Sequence, residues 1–279
     1  MNMEESMSAL IVNFNAEAAN SILNLDTTNS NLSSAIQELS SGLAVQFSYQ
    51  GPAQWSISNY LQYQNAGDSQ AVANAQQGVS VLNIASGAVN QIAGILNQME
   101  QLATSSANAG AMTTTQQQAN NTQYQALLTE INKIVSNTTY GTKSLLNGSY
   151  SAQQFQIGFQ TSNTFTVTIN NVKTSSLALT GTKISSSANA SQAIASIQSA
   201  LSSLSSVGAT IGANQVQLQS FVQDLQTTST NVQAANSAVV DVNMATEMTQ
   251  FTTQQILMQS GLSMLGQAQA NPTLVLKLL

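Results

Sequence analysis

The feature that most narrows what this chain can fold into is a spacing. Apolar residues recur alternately four and three positions apart over most of its length. Ala18, Ile22, Leu25, Asn29, Leu32, Ile36, Leu39 and Leu43 keep that spacing without a fault, and so do Val81, Ala85, Ala88, Ile92, Ile95, Met99 and Leu102. A third run goes from Ala190 through Ile194, Ile197, Leu201, Leu204, Gly208, Ile211, Gln215, Leu218 and Val222 to Leu225. A period of 3.5 places each set on one stripe of a helix, which lets long helices lie along one another. Tyr124, Leu128, Ile131 and Val135 mark a shorter helix. The third run weakens through Val232 and Val239, slips in phase, and restarts as Met244, Met248, Phe251, Met258, Leu262 and Leu265. No proline interrupts residues 188–268, and continuous helix over that span would reach on the order of 120 Å. A compact domain cannot bury that length within itself, so the expected object is a mainly α rod of coiled-coil-like helices.

Two segments break the pattern. Gly42 to Gly67 contains Gly51-Pro52 and has a glycine at either end, which reads as a loop or irregular connector. Between Tyr140 and Ser187, Asn147-Gly148 is a turn signal, and Phe155, Ile157, Phe159 and then Phe165, Val167, Ile169 alternate along the chain. That is a small mid-chain β-hairpin region. The last residues, Asn271-Pro272 to Leu279, are mostly apolar. Exposing such a segment in a monomer is costly, which suggests a surface buried on assembly.

Composition removes whole classes of function. There is no His and no Cys, so Cys/His zinc sites, thiol nucleophiles, disulfides and His-based triads are excluded. The 5 cations are all lysines, Lys133, Lys143, Lys173, Lys183 and Lys277, against 11 Asp and Glu. A basic face for nucleic acid or an anionic membrane cannot be built from them. No uninterrupted apolar run approaches the ~18 residues of a membrane span. Met1 to Leu10 carries Glu4 and Glu5 and no cation, the wrong charge for a secretory signal, so any export is expected to use a route without a cleaved leader. Glu100, Glu130 and Asp241 lie far apart in sequence and on helical stretches. Catalytic carboxylates need a paired partner in a cleft, so these read as solvated helix faces. No catalytic, cofactor or metal residue is expected.

Several short motifs, in order along the chain, resemble bacterial flagellin. Leu39-Ser-Ser-Gly-Leu43 is similar to that family's LSSGL, and Tyr140-Gly-Thr-Lys-Ser-Leu-Leu-Asn-Gly148 to its aromatic-then-K-x-L-L-N-G turn. Gln154-Phe-Gln-Ile-Gly158 resembles QFQIG, and Ile211-Gly-Ala-Asn-Gln215 the IGA-x-Q of the returning helix. Ala245-Thr-Glu-Met248, Gln255-Ile-Leu257, Gln259-Ser-Gly261, Leu265, Gln267-Ala268 and Pro272 to Leu279 resemble its C-terminal stretch. The resemblance also has departures. Val12-Asn13 stands for the early I-N motif, Ala44 to Ala53 lacks the usual charges, and Gln217 stands where an arginine is usual.

The resemblance implies a structural subunit that polymerises with itself into an extracellular flagellar filament, exported through the flagellar type III channel. Its other partners would be an export chaperone and the cap and hook-junction proteins, with no nucleic acid, membrane or cofactor. Residues 1–44 would form an N-terminal inner-core helix and 45–66 a connector. Residues 67–235 would form an outer rod with β structure at about 140–185, and 236–279 the C-terminal inner-core helix and tail. The expected polymer interface is Ile22, Leu25, Leu32, Ile36 and Leu39 with Met248, Phe251, Met258, Leu262, Leu265, Leu274, Leu276 and Leu279. Asn29 at a stripe position either fixes register or marks a partly wet seam. A hook–filament junction protein shares these motifs, and a secreted coiled-coil adhesin or translocator is the rival from another class. Finally, the scarcity of charge suggests a filament suited to acid. Few cations are left unpaired when carboxylates protonate, and amides and hydroxyls do not titrate in that range.

Overall fold

The structure is a computed structural model in which the backbone is described for residues 15–278 and the side chains for 15–270. Helix α1 spans Ala16–Ser41, α2 Pro52–Ala107, α3 Thr114–Asn137, α4 Ser187–Val240 and α5 Met244–Leu278. Between α3 and α4 lie β1 (Thr139–Tyr140), β2 (Lys143–Ser144), β3 (Gln153–Gln156) and β4 (Thr164–Val167). The chain divides into two units, one of residues 63–232 and one made of the segments before and after it. Helices α2 and α4 contribute to both.

Caps set the helix ends. Asn15 Oδ1 accepts from the Ala18 N–H that opens α1, and Gly42, at φ 75°, closes it with its N–H on the Glu38 carbonyl. Only the absence of a Cβ makes that left-handed closure easy. Thr113 and Gln116 form a reciprocal capping box at the start of α3. Asn243 Oδ1 accepts from the N–H groups of Ala245 and Thr246 to start α5. The break between α4 and α5 falls where the stripe slips phase.

In the 63–232 unit, α2 and α4 run antiparallel, and neutral hydrogen bonds fix their register. Ser229 Oγ donates to Asn65 Oδ1 at 2.6 Å, Gln215 Nε2 to Asn83 Oδ1 at 2.9 Å, and Ser187 Oγ to the Ala107 carbonyl at 2.6 Å. The expected stripes lie in the core: Val81, Ala85, Ala88, Ile92 and Met99 are buried with Ala190, Ile197, Leu204, Ile211 and Leu218. Helix α2 buries a second stripe, Leu82, Val89, Leu96 and Ala103, because α3 and residues 145–184 share this core. Tyr124, Leu128, Ile131 and Val135 supply the α3 face, and Tyr124 Oη shares a hydrogen bond of 2.7 Å with Thr182 Oγ1. Among the described residues the ion pair is Lys133 with Glu130, exposed and 4.0 Å apart. Such a pair adds little stability. Asp68 is buried on α2, and its Oδ2 has no hydrogen-bond partner.

The β region has the expected alternation. β3 pairs antiparallel with β4, Phe155 opposite Phe165. Phe165 meets Phe221 of α4 edge-on at 5.5 Å, and Asn74 of α2 donates to the Gln156 carbonyl. The Lys143 to Gly148 turn drives Leu145 and Leu146 fully into the core. It is closed by Asn147, whose Oδ1 accepts from Ser149 N–H, and by Gly148 at φ 89°.

Two expectations are corrected. The connector anticipated over 45–66 is irregular only at 42–51, and α2 begins at Pro52. Proline suits the first helical turn, where its missing N–H costs nothing. Gly67 is not a loop glycine, because it sits within α2 against the hairpin turn. A Cβ there would fall 2.4 Å from Phe159 Cβ and 3.0 Å from Phe159 Cα. Helix α2 also contains an 18-residue window of mean hydropathy 1.5, long and apolar enough to cross a membrane by composition. Scattered Ser, Asn and Gln hide that window from a search for unbroken apolar runs. Many of the helix's apolar side chains lie in the core just described.

Two glycines of α2 give predictions of opposite sign. Gly94 has open space around its Cα, so Gly94→Ala should stabilise the unit by up to ~1 kcal/mol through helix propensity. Gly67→Ala should instead destabilise it by about 1–3 kcal/mol, because the Phe159 backbone must move. Paired denaturant melts of the two variants check this.

Candidate polymerisation surface

The other unit contains α1, α5, the connector, the start of α2 and the end of α4. Its helices α1 and α5 lie antiparallel. At one end Asn15 Nδ2 donates to the Ala268 carbonyl at 2.7 Å, and at the other Leu43 bridges Asp241. Ala44 N–H on the Val240 carbonyl and Val242 N–H on the Gly42 carbonyl complete that second closure. Ser58 Oγ donates to Asn236 Oδ1 at 2.7 Å and ties the start of α2 to the end of α4.

Solvent shielding recurs in α1 at Ala18, Ser21, Leu25, Thr28, Leu32, Ala35 and Leu39. In α5 it recurs at Glu247, Phe251, Gln254, Met258, Gly261, Leu265 and Ala268. Both sets step by threes and fours, so the pair forms one coiled-coil seam. Large residues meet small ones across it. A Cβ on Gly261 would lie 2.8 Å from Leu25 Cδ2. The buried apolar side chains of the described part of this unit are Ala18, Ala35, Val240 and Ala268, all modest in size.

The sequence-derived interface residues therefore separate into groups. Leu25, Leu32, Leu39, Phe251, Met258 and Leu265 are half-buried at seam positions. Ile22, Ile36, Met248 and Leu262 are off the seam, with 52%, 51%, 47% and 57% of their surface exposed. The stripe as read from sequence takes Ile22, Asn29 and Ile36 as its alternate members, whereas the seam within the chain uses Ser21, Thr28 and Ala35. Helices this close admit small residues at those levels, and the isoleucines move to the flank. Asn29 is exposed, so it sets no register between α1 and α5. Leu274 and Leu276 lie in α5, but their side chains, and all of Leu279, are outside the described residues.

Leu23, Ile256, Leu257 and Met264 are also exposed, as are Phe47, Tyr49, Trp55 and Ile57 around the connector. The 63–232 unit exposes far fewer large apolar groups: Tyr63, Ile84, Tyr140 and Val216. Beside the seam, Asn24, Leu25, Asn31, Leu257, Ser260 and Met264 help line an open groove. Apolar exposure on this scale marks an association surface. Carboxyl groups accompany it. Glu247 is buried in α5, while desolvation and, second, the nearby Glu247 charge push the Glu38 carboxyl above the ordinary glutamate range. Sequence reasoning missed this pair, because nothing in the spacing of residues so far apart brings them together.

Gly261→Leu should separate α1 from α5 by forcing Leu25 aside, and should abolish assembly. Gly266→Ala, which meets open space, should leave assembly intact. Sedimentation of polymer, with circular dichroism of the soluble fraction, distinguishes the two.

The geometry agrees with what this chain is similar to. The pattern of the bacterial flagellin N-terminal helical region matches residues 12–151, and that of the C-terminal helical region matches 194–279. A flagellin of Halalkalibacterium halodurans is 34% identical over 272 residues, covering 97% of this chain and 100% of the relative. A flagellin of Clostridium tyrobutyricum is 36% identical over 140 residues, 50% of this chain and 37% of the relative. The crystal structure of Bacillus cereus flagellin superposes with a TM-score of 0.51 at 26% identity, covering 59% of this chain and 94% of that one. Terminal helices matched at both ends, an intervening hairpin unit and a relative matched over its whole length place the chain in the bacterial flagellin family.

Proposed function

We propose that this chain is the structural subunit of an extracellular bacterial flagellar filament, formed by polymerisation with copies of itself. One observation carries the reading: the α1–α5 pair buries small residues inside and leaves Ile22, Ile36, Met248, Leu262 and their neighbours exposed. Fully covering one such side chain contributes about 1.5–3 kcal/mol. Among the described residues these side chains stay uncovered, and a neighbouring copy presents the same need. The interface then comprises the flank residues together with Leu274, Leu276 and Leu279, while Leu25, Leu32, Leu39, Phe251, Met258 and Leu265 join it from the seam. In this reading the unit containing both chain ends forms the inner core of the filament and the 63–232 unit its outer part.

The role is mechanical, and no catalytic step is assigned to the chain. An export chaperone, the filament cap and the hook-junction proteins are the further partners this role requires. Neither nucleic acid nor a membrane is among them. The same surface on a hook–filament junction protein would serve a few copies rather than thousands, so subunit abundance in sheared filaments separates the two roles.

The test is polymerisation of purified protein. Replacing Ile22 and Leu262 together by serine should abolish polymer while leaving the melting of the 63–232 unit unchanged. Deleting residues 273–279 should likewise leave a soluble, partly helical monomer. Normal filaments from both variants would overturn the reading.

A further inference from the structure

Formal charge is divided unequally between the two units. Residues 63–232 balance Asp68, Glu100, Glu130 and Asp224 against Lys133, Lys143, Lys173 and Lys183. The remainder carries Glu4, Glu5, Glu17, Asp26, Glu38, Asp241 and Glu247 against Lys277 alone, so the whole net charge of −6 resides there. The connector, the first residues of α2 and the last of α4 add no charged group to it. Within the described side chains of that unit, carboxylates meet no cation. The charge of Glu247, buried in α5, reaches Glu38 of α1, and Asp241 lies at the closure of the same two helices. The unit that presents the apolar surface is thus also the one whose copies repel.

Resting on the filament reading, we propose that assembly of this chain is linked to proton uptake: subunits polymerise more tightly as the medium becomes acidic, and Glu38, beside the buried Glu247, is a site of that uptake as copies come together. Bringing copies side by side places uncompensated carboxylates of neighbouring subunits near one another, a repulsion that added salt screens in part. Neutralising one member of a like-charged pair removes that cost. The direction follows from Glu38, whose carboxyl is already raised by burial and by Glu247. A raised group contributes stability that is fully present below its unfolded value, near 4.3 for glutamate. That contribution is lost as pH rises through the folded value. Packing against further copies adds burial and like charge, which moves the window upward. The effect differs from simple tolerance of acid, which predicts no change in affinity between subunits.

The experiment measures the concentration of unpolymerised full-length chain in equilibrium with polymer, by sedimentation between about pH 4 and pH 8, at low and high salt. Each proton taken up per subunit lowers that concentration about tenfold per pH unit. The expected result is a fall toward acid that is shallower in high salt. Glu38→Gln and Glu247→Gln should each lower the concentration at neutral pH and flatten the profile, while Glu130→Gln, in the charge-balanced unit, should change neither. A flat profile, or one that rises toward acid, overturns the proposal and leaves the filament reading standing, as do Glu38→Gln and Glu247→Gln profiles that match the parent. Absence of polymer at every pH overturns the filament reading itself.

Discussion

A pair of antiparallel helices has one seam, and how closely the helices approach decides which residues fit in it. Here Gly261 receives Leu25, and Ser21, Thr28 and Ala35 occupy the levels between leucines. That closeness leaves no internal volume for the isoleucines and leucines beside the seam, which stand on the flanks of both helices. A pair with so little core is marginal alone, because ordering each residue costs ~1–2 kcal/mol of backbone entropy. Under the proposed role, neighbouring copies would supply further cover for the flank residues of this pair.

The 63–232 unit solves a different problem. It has a core of its own, closed by α2, α3, α4 and the hairpins, and its helices are held in register by Asn, Gln, Ser and Thr. Many surface hydroxyls bond the carbonyl one turn back in their own helix, as at Ser80, Thr129, Ser199 and Thr227. These interactions do not depend on ionisation. The register of this unit accordingly rests on groups that do not titrate, and the uncompensated formal charge lies in the segments at either end of the chain.

Much of this was legible in the sequence where one face of an element meets one partner. Tyr124, Leu128, Ile131 and Val135 are buried as their spacing requires, and Phe155 stands opposite Phe165 as alternation suggests. Legibility failed where a residue type serves two purposes. Pro52 and Gly67 read as loop residues, yet one starts a helix and the other admits Phe159. On α1 the stripe containing Ile22 and the seam containing Ser21 both step by threes and fours. Apolarity shows which side chains avoid water but not whether the cover comes from the same molecule. The Glu38–Glu247 pair lay beyond sequence reading, since the register of those helices is set by long-range contacts such as the closure of Leu43 on Asp241.

The placement of the lysines has a practical consequence. The stretches before Lys133 and between Lys183 and Lys277 contain no basic residue at all. Trypsin, which cuts after lysine or arginine, finds nothing to cleave along α1, α2 or α4, or along α5 before Lys277. Lysine side chains, the other targets of common labels, likewise fall within residues 133–183, with Lys277 the exception near the end. Tagging through lysine side chains would therefore decorate mainly the 63–232 unit and leave α1 without a label.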